Sequence, residues 1–224
     1  MLNPEAKTAI ARLKSKKKII GGGFLIQGGY LLTCAHVIRD VLGLRKGDSP
    51  LGLEPGVCPI GMEVILNFVY PRISQPKKAE VLLYKYKQNE DEPYEDIAGL
   101  RLLDPLPKDI NPVKFLMKYE FEHSYTVIGF PTGHEQGLVS KGELVEELPC
   151  GWIQLEDTKN QGLPILGGFS GSPVWCQLTS GCLGMAVAYE KNHPDAKIGF
   201  MIPAHQLSPL SQNLELLDIF KDYV

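Results

Sequence analysis

The feature that most constrains the fold of this chain is a long succession of short apolar runs separated by glycine, proline, asparagine and aspartate. The runs are rich in Val, Ile, Leu, Tyr and Phe, and such runs with turn-forming boundaries are typical of β-strands. The stretch from Met62 to Tyr70 also alternates between two sets of side chains, as a strand with one face in a core does. The pattern predicts an all-β fold built from many short strands.

The predicted strands fall into two groups on either side of a proline-rich segment. The segment from Asp104 to Pro112 contains three prolines and has no clear periodicity, so it is the natural boundary between two small β-barrels. The first group is Gly23 to Ile26, Tyr30 to Thr33, Met62 to Tyr70, Ala79 to Tyr84 and Ile97 to Leu102. The second group is Tyr125 to Phe130, Leu138 to Glu146, Trp152 to Leu155, Val174 to Leu178, Cys182 to Tyr189 and Lys197 to Ile202.

Helices are predicted at both ends of the chain. Asn3 is a helix N-cap followed by proline at the first helical position, and Ile10 and Leu13 then recur at helical spacing. A short amphipathic helix and the arm that follows it therefore occupy residues 1–20. A second helix, with one apolar stripe that packs on the body, is predicted over residues 208–224.

The overall charge of the chain favours no charged partner. Its 224 residues carry 23 basic and 26 acidic side chains, a net charge of -3, which creates no global field toward nucleic acid or an anionic membrane. Four lysines cluster near the N-terminus: Lys14, Lys16, Lys17 and Lys18. We interpret this run as a solvated face, and the alternative is an interaction arm.

Five cysteines are scattered along the chain as Cys34, Cys58, Cys150, Cys176 and Cys182. An odd and scattered set does not resemble the framework of a disulfide-stapled secreted domain, and the N-terminus has no apolar run of signal-peptide type. No segment approaches the roughly 18 consecutive apolar residues of a transmembrane helix. A reducing cytoplasm is therefore expected, with Cys176 and Cys182 as buried free thiols rather than a hairpin disulfide.

The most informative motif is the glycine-rich turn from Gly167 to Pro173, placed directly before the apolar strand that begins at Val174. A serine nucleophile needs backbone N–H groups aimed at the oxyanion that forms on the attacked carbonyl, and adjacent glycines let the loop reach the required dihedral angles. Ser170 is the candidate nucleophile, and the N–H groups of Gly168 and Ser170 are the candidate oxyanion donors. The alternative is an ordinary glycine-serine loop.

Serine is a poor nucleophile at neutral pH, so such a site requires a histidine that accepts its proton and returns it to the leaving amine. His36 is the strongest candidate because it follows the predicted strand that ends at Thr33, where an imidazole can leave the core for a cleft. The other histidines lie in polar loops or after a strand end: His123, His134, His193 and His205.

The imidazole in turn requires a partly buried carboxylate that orients it. Asp96 fits this role because it directly precedes the apolar run from Ile97 to Leu102 and so stands at the edge of a core strand. The alternative role of Asp96 is a cap at the entry of that strand.

The order of His36, Asp96 and Ser170, together with their local contexts, resembles the trypsin-like superfamily. The similarity is greater to its intracellular and HtrA-type bacterial branches than to the digestive enzymes, and it covers most of residues 20–207. The segments that carry it are Gly22 to Ile26, Leu31 to His36, Asp96 to Ala98, Gly168 to Pro173 and Ile198 to Pro203.

This resemblance implies two six-stranded antiparallel β-barrels, the first over residues 21–107 and the second over residues 108–207. It also implies a serine endopeptidase that acts on protein or peptide substrates through an acyl-enzyme, in a cleft between the barrels. In such an enzyme His36 is the general base, Asp96 is its orienting partner and Ser170 is the nucleophile. The resemblance implies neither a metal ion nor an organic cofactor.

The chain departs from the digestive enzymes at two positions. Phe169 stands where those enzymes carry an aspartate that captures a newly cut N-terminus, so that activation route is not expected. Val37 stands where they place a disulfide cysteine, which agrees with a reduced environment.

The resemblance also locates a primary specificity pocket, which carries no carboxylate at its base. Its predicted residues are Pro164 and Ile165 at the base and Ala186, Val187 and Ala188 in the far wall. A neutral or apolar residue before the scissile bond is therefore expected, unless Glu190 folds into the pocket.

Two other functions compete with an active serine endopeptidase. The same fold can serve as a catalytically silent binding module, since a fold does not fix activity. A cysteine hydrolase would use Cys34 or Cys176, although neither lies in a glycine turn. By analogy, similar domains without export signals occur beside or fused to sensor modules in bacterial defence and signalling systems, which suggests an activating partner or fused sensor domain.

Overall fold

The chain folds into two closed, six-stranded antiparallel β-barrels with three α-helices among the described residues. This computed structural model describes residues 2–16, 18–47, 49, 51–87, 95–121, 123–157, 163–189 and 197–220. The all-β, two-barrel prediction is confirmed.

The first barrel has the strand order β1-β2-β3-β6-β5-β4, and β1 pairs with β4 to close it. Its strands are β1 (Ile10–Lys14), β2 (Ile19–Leu25), β3 (Tyr30–Thr33), β4 (Glu63–Phe68), β5 (Lys77–Lys87) and β6 (Glu95–Leu102).

Strand β1 corrects the prediction for the N-terminus. Helix α1 covers only Pro4–Thr8, where Asn3 caps it by accepting a hydrogen bond from the backbone of Glu5 at 2.9 Å. Ile10 and Leu13 belong instead to a strand held between β2 and β4, and both are fully buried. Helical spacing was misleading here because pairing on both sides of the strand outweighs local helix propensity.

The second barrel has the order β10-β11-β12-β9-β8-β7, closed by pairing between β10 and β7. Its strands are β7 (Ser124–Gly129), β8 (Leu138–Glu147), β9 (Ile153–Glu156), β10 (Pro173–Cys176), β11 (Cys182–Tyr189) and β12 (Ile198–Pro203). The segment 103–123 joins the two barrels, and the boundary at residue 107 stays a prediction within it.

Two further helices complete the described structure. Helix α2, Ala35–Leu42, follows β3 directly and ends at Gly43, whose φ of 69° is left-handed. Helix α3, Ala204–Phe220, follows β12 and begins four residues earlier than predicted. Leu214 of α3 packs against Gly99 of β6, so the C-terminal helix reaches back to the first barrel.

The five cysteines are free thiols, and Cys176 and Cys182 are both buried. The prediction of free thiols at these two positions is confirmed. Among the described helices, none is long and apolar enough to cross a membrane.

Candidate active site

His36 and Asp96 form a directly bonded pair on the first barrel. His36 lies in the first turn of α2, and its Nδ1 is 2.5 Å from Oδ2 of Asp96. The other carboxylate oxygen, Oδ1, accepts the backbone N–H of His36 at 2.9 Å. Asp96 thus satisfies one of the free N–H groups at the start of α2 and fixes the imidazole at the same time.

Helix α2 is the element that sequence reasoning missed at this site. The prediction placed His36 beyond a strand end, whereas it is the second residue of a helix. A signal was present, because Val37, Ile38, Val41 and Leu42 recur at helical spacing before Gly43.

The burial of Asp96 makes its two hydrogen bonds necessary. Asp96 is the second residue of β6, pairs with Tyr86 of β5 and is only 2% exposed. A buried carboxylate is costly unless hydrogen bonds compensate the lost hydration, and the two donors of His36 supply them. The side chain of His36 is 25% exposed, which leaves its other edge open to a substrate.

Ser170 lies on the turn before β10, at the junction of the barrels. Its carbonyl accepts a hydrogen bond from the backbone N–H of Gly22 in β2 at 2.8 Å. A Cβ on the neighbouring Gly21 would lie 2.7 Å from the Ser170 carbonyl oxygen and 2.8 Å from a methyl of Val37, the residue after His36. The structure therefore brings Ser170 beside the start of α2, on which His36 lies.

The Ser170 hydroxyl has a partner other than His36. It donates to the carbonyl of Val187 in β11 at 3.0 Å, and among the described hydrogen bonds none joins it to the imidazole. Catalytic hydrogen bonds are often long or misaligned without substrate, so this geometry does not disqualify the pair.

Two backbone N–H groups at the turn are free for an incoming oxygen. Within the described part of the chain, the N–H groups of Gly168 and Ser170 donate to no protein acceptor, whereas those of Phe169, Gly171 and Ser172 all do. Gly168 has a φ of 96°, and a Cβ there would lie 2.4 Å from the carbonyl oxygen of Phe130. Only glycine fits this position, which holds the turn in the conformation that leaves both groups unpaired.

Gly21 and Gly22 of β2 are required by a close contact with the opposite barrel, which the sequence prediction did not include. A Cβ on Gly22 would lie 2.1 Å from the Ser172 hydroxyl, and a Cβ on Gly171 would lie 2.2 Å from the Gly22 carbonyl. The missing side chains let the turn at residues 167–173 of the second barrel lie directly on β2 of the first. We call this segment the nucleophile turn because it presents Ser170, the candidate nucleophile. Three consecutive glycines inside a strand were the signal, because they mark close backbone approach.

Phe169 anchors the turn from its other side. Its ring is fully buried in the core of the second barrel. A Cβ on Gly129 would lie 2.3 Å from that ring, so Gly129 leaves the space that the ring fills. An apolar anchor thus occupies the position that the resemblance matched to an aspartate of the digestive enzymes.

The residues predicted for the primary pocket lie around the nucleophile turn. Ile165 is 3% exposed and packs against Gly199, while Ala186 accepts the N–H of Gly171. Pro164 is half-buried, Val187 is buried, and of Ala188 only the backbone is described. Glu190 lies outside the described residues. The assignment of these residues to a substrate pocket stays a prediction.

Cys34 lies close to the same pair but is a poor nucleophile. Its thiol is fully buried and donates to the carbonyl of Ala186 at 3.4 Å. Burial, and secondarily the charge of Asp96, raises the pKa of Cys34 well above its ordinary value. Three possible metal-ligand atoms, one each from Cys34, His36 and Asp96, lie within 4.8 Å of one another. A metal ion would need the thiolate form of Cys34, which burial disfavours, and it would break the bond between His36 and Asp96.

Comparison with known proteins agrees with this arrangement. The family model described as a trypsin-like peptidase domain matches residues 21–185. A protein of Arabidopsis thaliana named protease Do-like 13 is 30% identical over 208 residues, which cover 85% of this chain and 33% of that protein. The chain therefore spans about a third of the length of this curated relative.

Solved structures share the fold at low sequence identity. The serine endoprotease from Yersinia pestis matches with a TM-score of 0.65 and 17% identity over 94% of this chain and 64% of that one. The active form of the Rv3671c protease from M. tuberculosis matches with a TM-score of 0.63 and 18% identity over 91% of this chain and 79% of that one. With the family model covering most of the two barrels, these comparisons show that the chain belongs to the trypsin-like peptidase family.

Proposed function

We propose that this chain is a serine endopeptidase in which His36, Asp96 and Ser170 act as general base, orienting carboxylate and nucleophile. The observation that carries the proposal is the pair of His36 and Asp96, bonded at 2.5 Å, beside a turn that presents Ser170. The two N–H groups without acceptors, those of Gly168 and Ser170, supply the third requirement, a site for the oxyanion.

The arrangement supports acyl transfer in two steps. Because Nδ1 of His36 is held by Asp96, Nε2 takes the proton of the Ser170 hydroxyl while its oxygen bonds to the scissile carbonyl carbon. The tetrahedral oxyanion accepts from the two free N–H groups. Its collapse breaks the C–N bond as His36 protonates the leaving amine, and a water activated by His36 then hydrolyses the ester.

This proposal requires one rearrangement, because the Ser170 hydroxyl donates to Val187 in the free protein. For catalysis, that hydroxyl would have to turn about its Cα–Cβ bond toward His36. The same hydrogen bond is the observation that favours the second candidate function, a catalytically silent binding module in which Ser170 serves only to join the turn to β11.

The biological setting is also a proposal. The resemblance to domains found beside sensor modules supports a regulated intracellular protease of a bacterial defence or signalling system, with an activating partner or fused sensor domain. The free thiols agree with a reducing location such as the cytoplasm.

A serine-directed fluorophosphonate separates active enzyme from silent module. We expect covalent labelling of the wild type at Ser170, no labelling of Ser170→Ala and strongly reduced labelling of His36→Ala. Turnover of a mixed peptide library, read by mass spectrometry, should follow the same order. Equal labelling and equal cleavage by wild type and Ser170→Ala would exclude the proposed nucleophile.

A further inference from the structure

Arg12 is a buried arginine at the contact between the two barrels. It lies on β1, opposite Gly22 of β2 and Asn67 of β4, and it is only 4% exposed. Directly opposite residues of antiparallel strands share one face of the sheet, and the contact of Gly22 with Ser172 shows that the second barrel covers this face. Arg12 therefore points from the first barrel toward the second.

The side chain of Arg12 reaches the 131–137 loop, which is part of the connection between β7 and β8. Its Nη1 donates a hydrogen bond to the backbone carbonyl of Glu135, 123 residues further along the chain. Its Nε has no acceptor within the described part of the chain. Burial lowers the pKa of Arg12, and the charge of Glu135 acts in the opposite direction. A guanidinium of the first barrel thus holds a loop of the second through a backbone carbonyl.

The same loop begins against the nucleophile turn. The backbone N–H of Phe130 donates to the carbonyl of Gly168 at 2.9 Å, and a Cβ on Gly168 would lie 2.8 Å from Cα of Pro131. The loop itself is tight, because the N–H of His134 donates to the carbonyl of Pro131 at 2.9 Å. A short path of bonded backbone therefore leads from the acceptor of Arg12 to Gly168, whose N–H group is one of the two free oxyanion donors.

Arg12 is poorly arranged to stabilise the fold. Burying a guanidinium costs hydration, and that cost is offset only where several good acceptors or an opposite charge replace the lost water. Among the residues that the structure describes, Arg12 bonds one neutral carbonyl, its Nε lacks an acceptor, and no carboxylate lies within ion-pair distance of it. An apolar side chain of similar length would fold at least as well there. Fold stability therefore does not account for the guanidinium.

We propose that Arg12 is a positioning residue for the oxyanion site. By holding the carbonyl of Glu135, it keeps the start of the 131–137 loop against Gly168, and so keeps the N–H group of Gly168 aimed at the oxyanion. The inference rests on the proposed peptidase function and adds a control of the nucleophile turn by β1 of the opposite barrel. Because Arg12 acts through the loop on an oxyanion donor, its effect belongs to the transition state and not to substrate binding.

Arg12→Met tests this role, since it removes the guanidinium and keeps an unbranched side chain. We expect the rate at which the fluorophosphonate labels Ser170 to fall about 10- to 100-fold, because loss of an oxyanion donor costs on the order of 10²–10³-fold and its displacement somewhat less. For the library peptide that the wild type cleaves fastest, kcat should fall by a similar factor with little change in KM. The midpoint of thermal unfolding should stay the same or rise.

Three further variants separate the hydrogen bond of Arg12 from loss of the fold or of charge. The contact uses one donor, so Arg12→Lys can still bond the Glu135 carbonyl and should recover most of the labelling rate. Glu135→Gln removes the charge of that side chain but keeps the carbonyl, and it should label as the wild type does. Arg72→Met makes the first substitution at an exposed arginine and should change neither labelling nor stability.

The outcomes for the inference and for the proposed function are distinct. If the wild type is labelled at Ser170 and Arg12→Met is labelled at the same rate, or loses labelling only in proportion to the folded protein that it loses, the inference is wrong and the peptidase function stands. Arg12→Lys no better than Arg12→Met, or a rise in KM with kcat unchanged, would overturn the inference in the same way. If Ser170→Ala is labelled as the wild type is, the proposed function fails and the inference falls with it.

Discussion

At the scale of single residues, Asp96 serves two donors with its two oxygens. One oxygen holds the imidazole of His36, and the other holds the backbone N–H of the same residue at the start of α2. The carboxylate therefore fixes both the ring and the helix turn that carries the ring. A cap at a strand entry, the alternative that the sequence left open, does not describe these two bonds.

Asp96→Asn should separate these two roles. An amide can keep one acceptor for the helix N–H, but its NH₂ group cannot accept from Nδ1, so the imidazole adopts the wrong tautomer. We expect kcat/KM to fall on the order of 10⁴-fold, with a small loss of thermal stability. Asp109→Asn, at an exposed carboxylate, is the control. A loss of less than tenfold would argue against the assigned role of Asp96.

Cys34 illustrates how burial removes reactivity from a residue beside the site. Because burial raises the pKa of Cys34, its thiol stays protonated and shielded, whereas Cys58 is exposed to reagents. At about pH 8.5, an alkylating reagent should modify Cys58 in the native protein and spare Cys34. Peptide mapping measures both sites. Alkylation of Cys34 with parallel loss of turnover would support the alternative hypothesis that the protein is a cysteine hydrolase.

At the scale of elements, β2 and the nucleophile turn depend on each other. The turn bonds to β2 through the carbonyl of Ser170, and β2 accommodates it because Gly21 and Gly22 carry no side chain. Protein interiors are too closely packed to absorb an added methyl group at such a contact without displacement. The geometry of Ser170 is thus set by a strand of the opposite barrel.

Gly22→Ala and Gly23→Ala form a matched pair in the same strand. A Cβ on Gly22 would strike Ser172 of the turn at 2.1 Å, whereas a Cβ on Gly23 would meet the flexible end of Leu13 at 2.8 Å. Both changes should lower stability by about 1–3 kcal/mol, but only Gly22→Ala should lower fluorophosphonate labelling of the folded protein strongly. Equal labelling of the two variants would contradict the proposed coupling.

At the scale of the whole molecule, one apolar cluster extends across both barrels. The larger buried cluster contains residues of both, including Phe24 and Leu32 of the first and Trp175 and Met185 of the second. Helix α3 adds a second connection, since Leu214 follows the second barrel in sequence but packs on β6 of the first. A shared core of this kind favours a single cooperative unfolding transition.

Leu214→Ala tests this connection. The side chain is fully buried, so its truncation should cost about 2–5 kcal/mol and leave the transition single. The measurement is urea unfolding followed by tryptophan fluorescence and by far-ultraviolet circular dichroism. Leu178→Ala, at a leucine that is 79% exposed, should change stability by less than about 0.5 kcal/mol. Two separate transitions would show that the barrels unfold independently.

The amino-acid sequence by itself determined eleven of the twelve strands that the described residues form, together with the candidate site residues. All eleven predicted strands are present, because each depends on a local apolar run between turn-forming residues. The candidates His36, Asp96 and Ser170 were chosen in the same way, from their neighbours in sequence, and their catalytic roles stay a prediction. The family followed from the order of these motifs.

Only the tertiary structure decided which neighbours those elements have. Strand β1 is a strand because β2 and β4 flank it, and Gly22 is glycine because the opposite barrel packs on it. The bond of the Ser170 hydroxyl to Val187 arises in the same way. These features join residues far apart in the chain, so no local pattern in the sequence records them.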